Sequence, residues 1–276
     1  MKNILVPTDF SENCNKAAEL GIKTAKLFDA EIHFFHLLKT PVDWVKLDKQ
    51  KEKRYPETLK KIGEAKASLR ALEKKAEKEN LKCQTFLQFQ VDQENILKHS
   101  GHYDHDFIIT GSSGTKGIVR ELLGSNVERL VRKSDVPVIV VKEDDVRFPF
   151  KDIVFVSDFL EDVSDAFREV LSIAERCNAK IHLLRINTES DRNSIALGLD
   201  PIRKFLEGFP ELKNFSMNVY NENQVETGIN TYLKHNKGDL IAMCTHGHTG
   251  FLSLFSKSIA EGVANHSALP IMTIKI

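Results

Sequence analysis

Two stretches of this 276-residue chain repeat each other in order. Lys2-Asn3-Ile4-Leu5-Val6-Pro7-Thr8-Asp9-Phe10 matches Lys151-Asp152-Ile153-Val154-Phe155-Val156-Ser157-Asp158-Phe159, and Asp29-Ala30-Glu31-Ile32-His33 matches Asn178-Ala179-Lys180-Ile181-His182, both at an offset of 149. Further on, Asp106-Phe107-Ile108-Ile109-Thr110-Gly111 matches Asp239-Leu240-Ile241-Ala242-Met243-Cys244, and Val136-Pro137-Val138-Ile139 matches Leu269-Pro270-Ile271-Met272, both at an offset of 133. A tandem duplication whose second copy is 16 residues shorter in its middle accounts for both offsets. It implies two domains, residues 1–143 and 150–276, joined by the acidic, proline-ended linker Glu143 to Pro149.

Each copy alternates short apolar runs with helical patterns. Ile4-Leu5-Val6 reads as a first strand, and Ser11 as the N-cap of a helix with Ala17, Ala18, Leu20, Gly21, Ile22, Ala25 and Phe28 on its apolar face. A second strand follows at Glu31 to Leu38. From about Lys46 to Glu79 the spacing of Leu59, Ile62, Ala65, Leu69, Leu72 and Ala76 predicts a long surface helix, broken before Pro56. A strand near Cys83 to Phe89, a short helix near Gln93 to Lys98, the Phe107 to Ile109 strand, a helix from Ser125 and a last strand at Val136 to Val141 complete the copy. Strands alternating with helices predict α/β architecture: two tandem doubly wound, Rossmann-like parallel-sheet domains, each five-stranded. In such sheets ligands bind beyond the C-terminal strand ends.

Composition narrows the function. Lys+Arg and Asp+Glu both number 39, so the chain is formally neutral and lacks the basic surface of a general nucleic-acid binder. Cys14, Cys83, Cys177 and Cys244 lie far apart, form no CxxC pair, and read as reduced thiols of a cytoplasmic protein. A strand pattern from Lys2 leaves no expected signal peptide, and no apolar run is long enough to cross a membrane. His99, His102, Asp104, His105 and Asp106 cluster without a recognised ligand spacing, so no metal site is expected there. Trp44 reads as core or interface.

The chemically distinctive stretch is Thr110-Gly111-Ser112-Ser113-Gly114-Thr115-Lys116-Gly117, followed by Gly124-Ser125-Asn126. Glycines at a strand exit let backbone amides approach a ligand, and a helix start adds unpaired N–H groups suited to phosphate. No Gly-Lys-Ser/Thr follows, so this is not a Walker A loop. Ser125-Asn126-Val127-Glu128 is also a capping box, which would start a helix with no ligand. The second copy keeps that box at Ser258-Ile259-Ala260-Glu261 but replaces Gly111 with Cys244 and Gly124 with Lys257. The changed glycines therefore carry more of the ligand reading than Ser125 does.

Gly111-Ser112-Ser113-Gly114, nine residues, then Gly124-Ser125, with Pro7-Thr8-Asp9 and Val136-Pro137-Val138-Ile139, resembles the universal stress protein family over both copies. The resemblance implies a site for ATP, or for ADP or AMP, with Mg2+ as the accompanying ion. By position it implies Pro7, Thr8 and Asp9 around ribose and base, and Leu37 against adenine. Thr110, Gly111 and Gly114 would border ribose and phosphates, and Gly124, Ser125 and Asn126 would receive phosphate. It also implies pairing through last strands, here Val136–Val141 beside Leu269–Ile274 as an intramolecular pseudo-dimer, with a homodimer open. One site per chain is expected, in the first copy, with Asp158 a leftover strand-end residue, or alternatively one retained by hydrogen bonding to the adjacent turn.

No Ser-His-Asp, Cys-His or paired-carboxylate arrangement is legible, so no catalytic residue is assigned. The leading expectation is a nucleotide-binding stress-response regulator with an undefined protein partner. A slow ATPase and a nucleotide-free interaction module remain as alternatives.

Overall fold

Strand β1 (Asn3–Pro7) is buried from Ile4 onward and sits between two parallel neighbours, β2 (Glu31–Lys39) and β4 (Phe107–Gly111). The computed structural model describes residues 1–90, 104–112, 125–142, 146–188, 198–245 and 269–276. Their contacts group into two compact units, Met1–Thr115 and Lys116–Ile276.

In the first unit the strand order is β3-β2-β1-β4, with β3 (Cys83–Gln90) parallel to β2. Helix α1 (Glu12–Phe28) starts where expected: the Ser11 hydroxyl accepts the Cys14 N–H at 3.4 Å. Its apolar face, including Ala17, Ala18, Leu20 and Ala25, is buried. The expected long helix is divided: a turn at Trp44–Lys46, a short α2 (Lys49–Glu52) capped by Asp48, then α3 (Pro56–Lys78), whose proline occupies the first turn. Ile62, Ala65, Leu69, Leu72 and Ala76 are buried as the periodicity predicts, while Leu59 stays exposed and Thr58 takes the inward place. Trp44 is buried against Tyr55 and Phe89, a core role.

The second unit contains α4 (Ser125–Lys133), β5 (Val138–Val141), β6 (Asp152–Val156), α5 (Ser164–Cys177), β7 (Lys180–Asn187), α6 (Asp200–Leu206), β8 (Phe215–Asn221), α7 (Val225–His235), β9 (Leu240–Thr245) and β10 (Ile271–Lys275). Its strand order is β5-β10-β9-β6-β7-β8. All pairs are parallel except β5 with β10, where Val140 lies opposite Ile271 and Val138 opposite Thr273. This pairing of last strands is why the compact unit begins before the sequence repeat does.

The registers reproduce the duplication residue by residue. Asn3 pairs with Glu31 as Asp152 pairs with Lys180, and Ile4 with Phe107 as Ile153 pairs with Leu240. Ile32 faces Cys83, whereas Ile181 faces Phe215, so the offset has already fallen to 132 by the third strand. The shortening therefore lies between the second and third strands of the copy. There the seven-residue α6 stands where the first copy has the 23-residue α3.

A carboxylate repeated at one position ties the strand entries together. Asp106 Oδ2 accepts the N–H groups of Lys2 and Asn3 at 2.5 and 2.9 Å, and Asp239 Oδ2 accepts those of Lys151 and Asp152 at 2.6 and 3.1 Å. Asp239 is buried and also faces Arg147 at 3.6 Å. Asp239→Ala leaves two amides without their acceptor, and a loss of about 1–2 kcal/mol is expected in a urea titration.

Candidate functional site

Three strand exits converge in the first unit, because β1 lies between β2 and β4. They bring together Pro7, Thr8 and Asp9, the β2 residues His36 and Leu37, and Thr110 with Gly111. Pro7, Thr8, Thr110 and Gly111 are buried, Leu37 is half-buried, and Asp9 is exposed.

A turn presents that carboxylate. The Phe10 N–H donates to Thr8 Oγ1 at 3.0 Å and the Ser11 N–H to Asp9 Oδ1 at 3.0 Å, while Phe10 adopts a left-handed conformation with φ 64°. Partial burial pushes the Asp9 carboxyl up, but the hydrogen bonds from Ser11 and Cys14 outweigh it and hold the group below its ordinary value. Asp9 is thus a firmly ionised acceptor at the strand exit.

His36, which sequence reasoning missed, closes the floor. Its Nδ1 donates to the Thr8 carbonyl at 2.7 Å, and its ring lies 4.5 Å from that of Phe10. Burial lowers its pKa against the opposing pull of the Thr8 carbonyl and the Asp9 charge, so the ring is neutral at pH 7. The second copy has Arg185 at this position, fully buried. That substitution was visible in the repeat and is the signal that could have found His36.

The start of α1 leans on the end of β4. A Cβ at Gly111 would lie 2.7 Å from both Asn13 C and Cys14 N, and Asn13 Nδ2 donates to Ser112 Oγ at 3.1 Å. The glycine thus has a reason inside the protein, quite apart from ligand approach. Gly114 and Gly124 fall outside the described residues, as do Lys116 and Arg120. Ser125 and Asn126 open α4 in the second unit. Of the histidine–aspartate cluster, His105 and Asp106 have structural partners, His33 and the first backbone amides, and His99 and His102 lie outside the described residues.

The arrangement sets an ionised carboxylate acceptor at the strand exits of β1, β2 and β4. The family model of the universal stress protein family matches residues 1–142 and 217–275. The chain belongs to this family.

Among universal stress proteins, it is 32% identical over 143 residues to MJ0531 of Methanocaldococcus jannaschii, covering 51% of this chain and 82% of that one. It is 31% identical over 157 residues to MJ0577 of the same organism, covering 51% and 94%. A crystal structure of a universal stress protein from Archaeoglobus fulgidus superposes with a TM-score of 0.72 at 21% identity, covering 99% of this chain and 96% of that one, which carries the fold across both copies.

The second universal stress protein copy repeats the turn and carries Cys244 at the position of Gly111. Phe159 N donates to Ser157 Oγ and Leu160 N to Asp158 Oδ1, both at 3.0 Å, with Phe159 at φ 58°. An aspartate is therefore kept at this place by its own turn in both copies. Helix α5, however, begins at Ser164, three residues later than α1 would place it. The missing turn leaves room for the Cys244 side chain, which is buried where Gly111 stands in the first copy. Burial, reinforced by Asp158 and Glu161, pushes that thiol up to about 12.

Proposed function

We propose that this universal stress protein binds ATP, or ADP or AMP, with Mg2+, through its first copy and acts as a stress-response regulator rather than an efficient catalyst. The observation that carries the reading is the Thr8–Phe10 turn, which sets an ionised Asp9 at the strand exit beside Gly111, the first glycine of the Gly-x-x-Gly, nine residues, Gly-Ser spacing. Asp9 would hold ribose or base, Leu37 would lie against adenine, and Thr110, Gly111 and Gly114 would border ribose and phosphates. Gly124, Ser125 and Asn126 would receive phosphate through backbone N–H groups. In the second copy Lys257 occupies the position of Gly124, which supports one nucleotide per chain.

The four cysteines are free thiols, which suits the reducing cytoplasm. Among the described residues no helix is long and apolar enough to cross a membrane. The antiparallel pairing of β5 with β10 supports the pseudo-dimer reading.

Denaturing freshly purified full-length protein and counting the released nucleotide tests the proposal. About one adenine nucleotide per chain is expected, and Asp9→Ala should retain less than a tenth of it, a loss of about 1.4 kcal/mol or more. Added Mg-ATP at about 100 times its dissociation constant should raise stability by about 2.7 kcal/mol. Wild-type protein that carries no nucleotide and shows no thermal shift with Mg-ATP would overturn the reading.

A further inference from the structure

Strand β8 ends the strand order of the second unit, and three polar side chains meet beside it, at the opposite end of the strands from Asp158 and Cys244. His182 Nε2 lies 3.0 Å from Asp152 Oδ1, and His182 Nδ1 lies 2.9 Å from Ser216 Oγ. The register explains the meeting: His182 of β7 stands opposite Ser216 of β8, and β6, which opens with Asp152, runs along the other side of β7. These are the two hydrogen bonds of a nucleophile–base–orienter chain, both inside catalytic range.

The chemistry has one consistent polarity. The carboxylate of Asp152 only accepts, so the ring proton sits on Nε2, and the Nδ1 lone pair is left to accept the Ser216 hydroxyl proton. Asn218 Nδ2 donates to Ser216 Oγ at 3.2 Å, which turns the hydroxyl hydrogen toward the imidazole and favours negative charge on that oxygen. His182 is buried, while Asp152 and Ser216 are partly exposed, so the base is shielded and the nucleophile is reachable. Tyr232 adds a fully buried hydroxyl with no hydrogen-bond partner, on a ring 6.2 Å from that of His182. Burial, then Tyr220 and Asp152, push its pKa up to about 12, which keeps it a neutral donor.

The first copy is an internal contrast. His33 occupies the same register position, but its Nδ1 faces His105 Nε2 at 2.8 Å and its Nε2 faces Glu31, while Gln84, opposite in β3, bonds Glu31 instead. In the second copy the histidine is linked to a hydroxyl, Ser216 Oγ.

We propose that Asp152, His182 and Ser216 form a second, hydrolytic site that cleaves short acyl esters. Ser216 Oγ attacks the ester carbonyl carbon as its proton passes to His182 Nδ1. The imidazolium returns that proton to the departing alcohol as the ester C–O bond breaks, leaving acyl-Ser216. Water, deprotonated by the same nitrogen, then releases the carboxylic acid and restores the serine. Asp152 is the positioning residue: it fixes the tautomer and stabilises the imidazolium.

The test uses the full chain with an alkyl fluorophosphonate and with p-nitrophenyl acetate, followed by intact mass and peptide mapping. One phosphonate adduct is expected on Ser216 of folded protein and none after heat denaturation. Ser216→Ala should lose the adduct with an unchanged melting temperature, since the side chain lies on a partly exposed edge strand. His182→Gln should slow labelling about 100-fold or more. Asp152→Asn should lower kcat for the ester while KM holds, a split that a purely structural carboxylate would not give. Folded wild-type protein that leaves Ser216 unlabelled, or labelling as fast in His182→Gln as in wild type, overturns the proposal.

Discussion

Gly111→Val is expected to destabilise the ligand-free protein by about 3 kcal/mol, because the new side chain enters an already closed contact. The Cβ alone would stand 2.7 Å from Asn13 C and Cys14 N and 2.9 Å from Asn13 O. All three are backbone atoms in the first turn of α1, so no side chain can swing aside to make room. That turn is held by the Ser11 cap and by the Asn15 side chain, which donates to the Phe10 carbonyl at 3.3 Å. Relief therefore requires α1 to move off β4, which also displaces the Asp9 turn. The measurement is a urea titration of the ligand-free protein. A glycine kept only for ligand approach would leave ligand-free wild type and variant equally stable.

The repeat was legible because strands buried on both faces need apolar runs, and both copies carry them at matching positions. The same registers then follow, Asn3 with Glu31 and Asp152 with Lys180. At Asp158 the sequence reads a leftover strand-end residue first and a turn contact second, and the turn contact is present, since the Leu160 N–H donates to its carboxylate. The cause of Gly111 was hidden, because it depends on where α1 begins relative to β4, and helix starts shift without changing the apolar pattern. In the second copy the later start of α5 is what admits Cys244. His36 was marked only by Arg185 at its place in the repeat, and its role follows once Phe10 and the Thr8 carbonyl are placed against it. Asp152, His182 and Ser216 lie on three separate strands, and only the sheet register brings them within hydrogen-bonding distance.

The loss of α3 from the second copy sets up the other large effect, at Phe167. In the first unit α3 packs on β2 and β3 and exchanges ion pairs with α1, Lys26 with Glu79 just past its end and Lys75 with Glu19. The α1 position equivalent to Phe167 is Ala18, and the β1 position equivalent to Phe155 is Val6. Among the described residues the short α6 stands in place of α3, and rings pack beside it in the second copy. Phe167 lies 5.0 Å from Phe155, 5.1 Å from Phe205 and 4.9 Å from Phe209, and Phe205 also packs on Phe159 at 5.3 Å. Phe167 is the hub, fully buried, and it joins α5 to β6 and to α6 at once. Phe167→Ala removes the ring that these neighbours share, and they cannot all collapse into the space from different elements. A loss of about 3–5 kcal/mol is expected from the transfer and cavity costs together. The check is the urea midpoint of the full chain, with near-ultraviolet circular dichroism reporting the aromatic cluster. A loss below about 1 kcal/mol would mean that the neighbouring rings relax into the gap, and the shortened copy would then owe its stability to another part of its core.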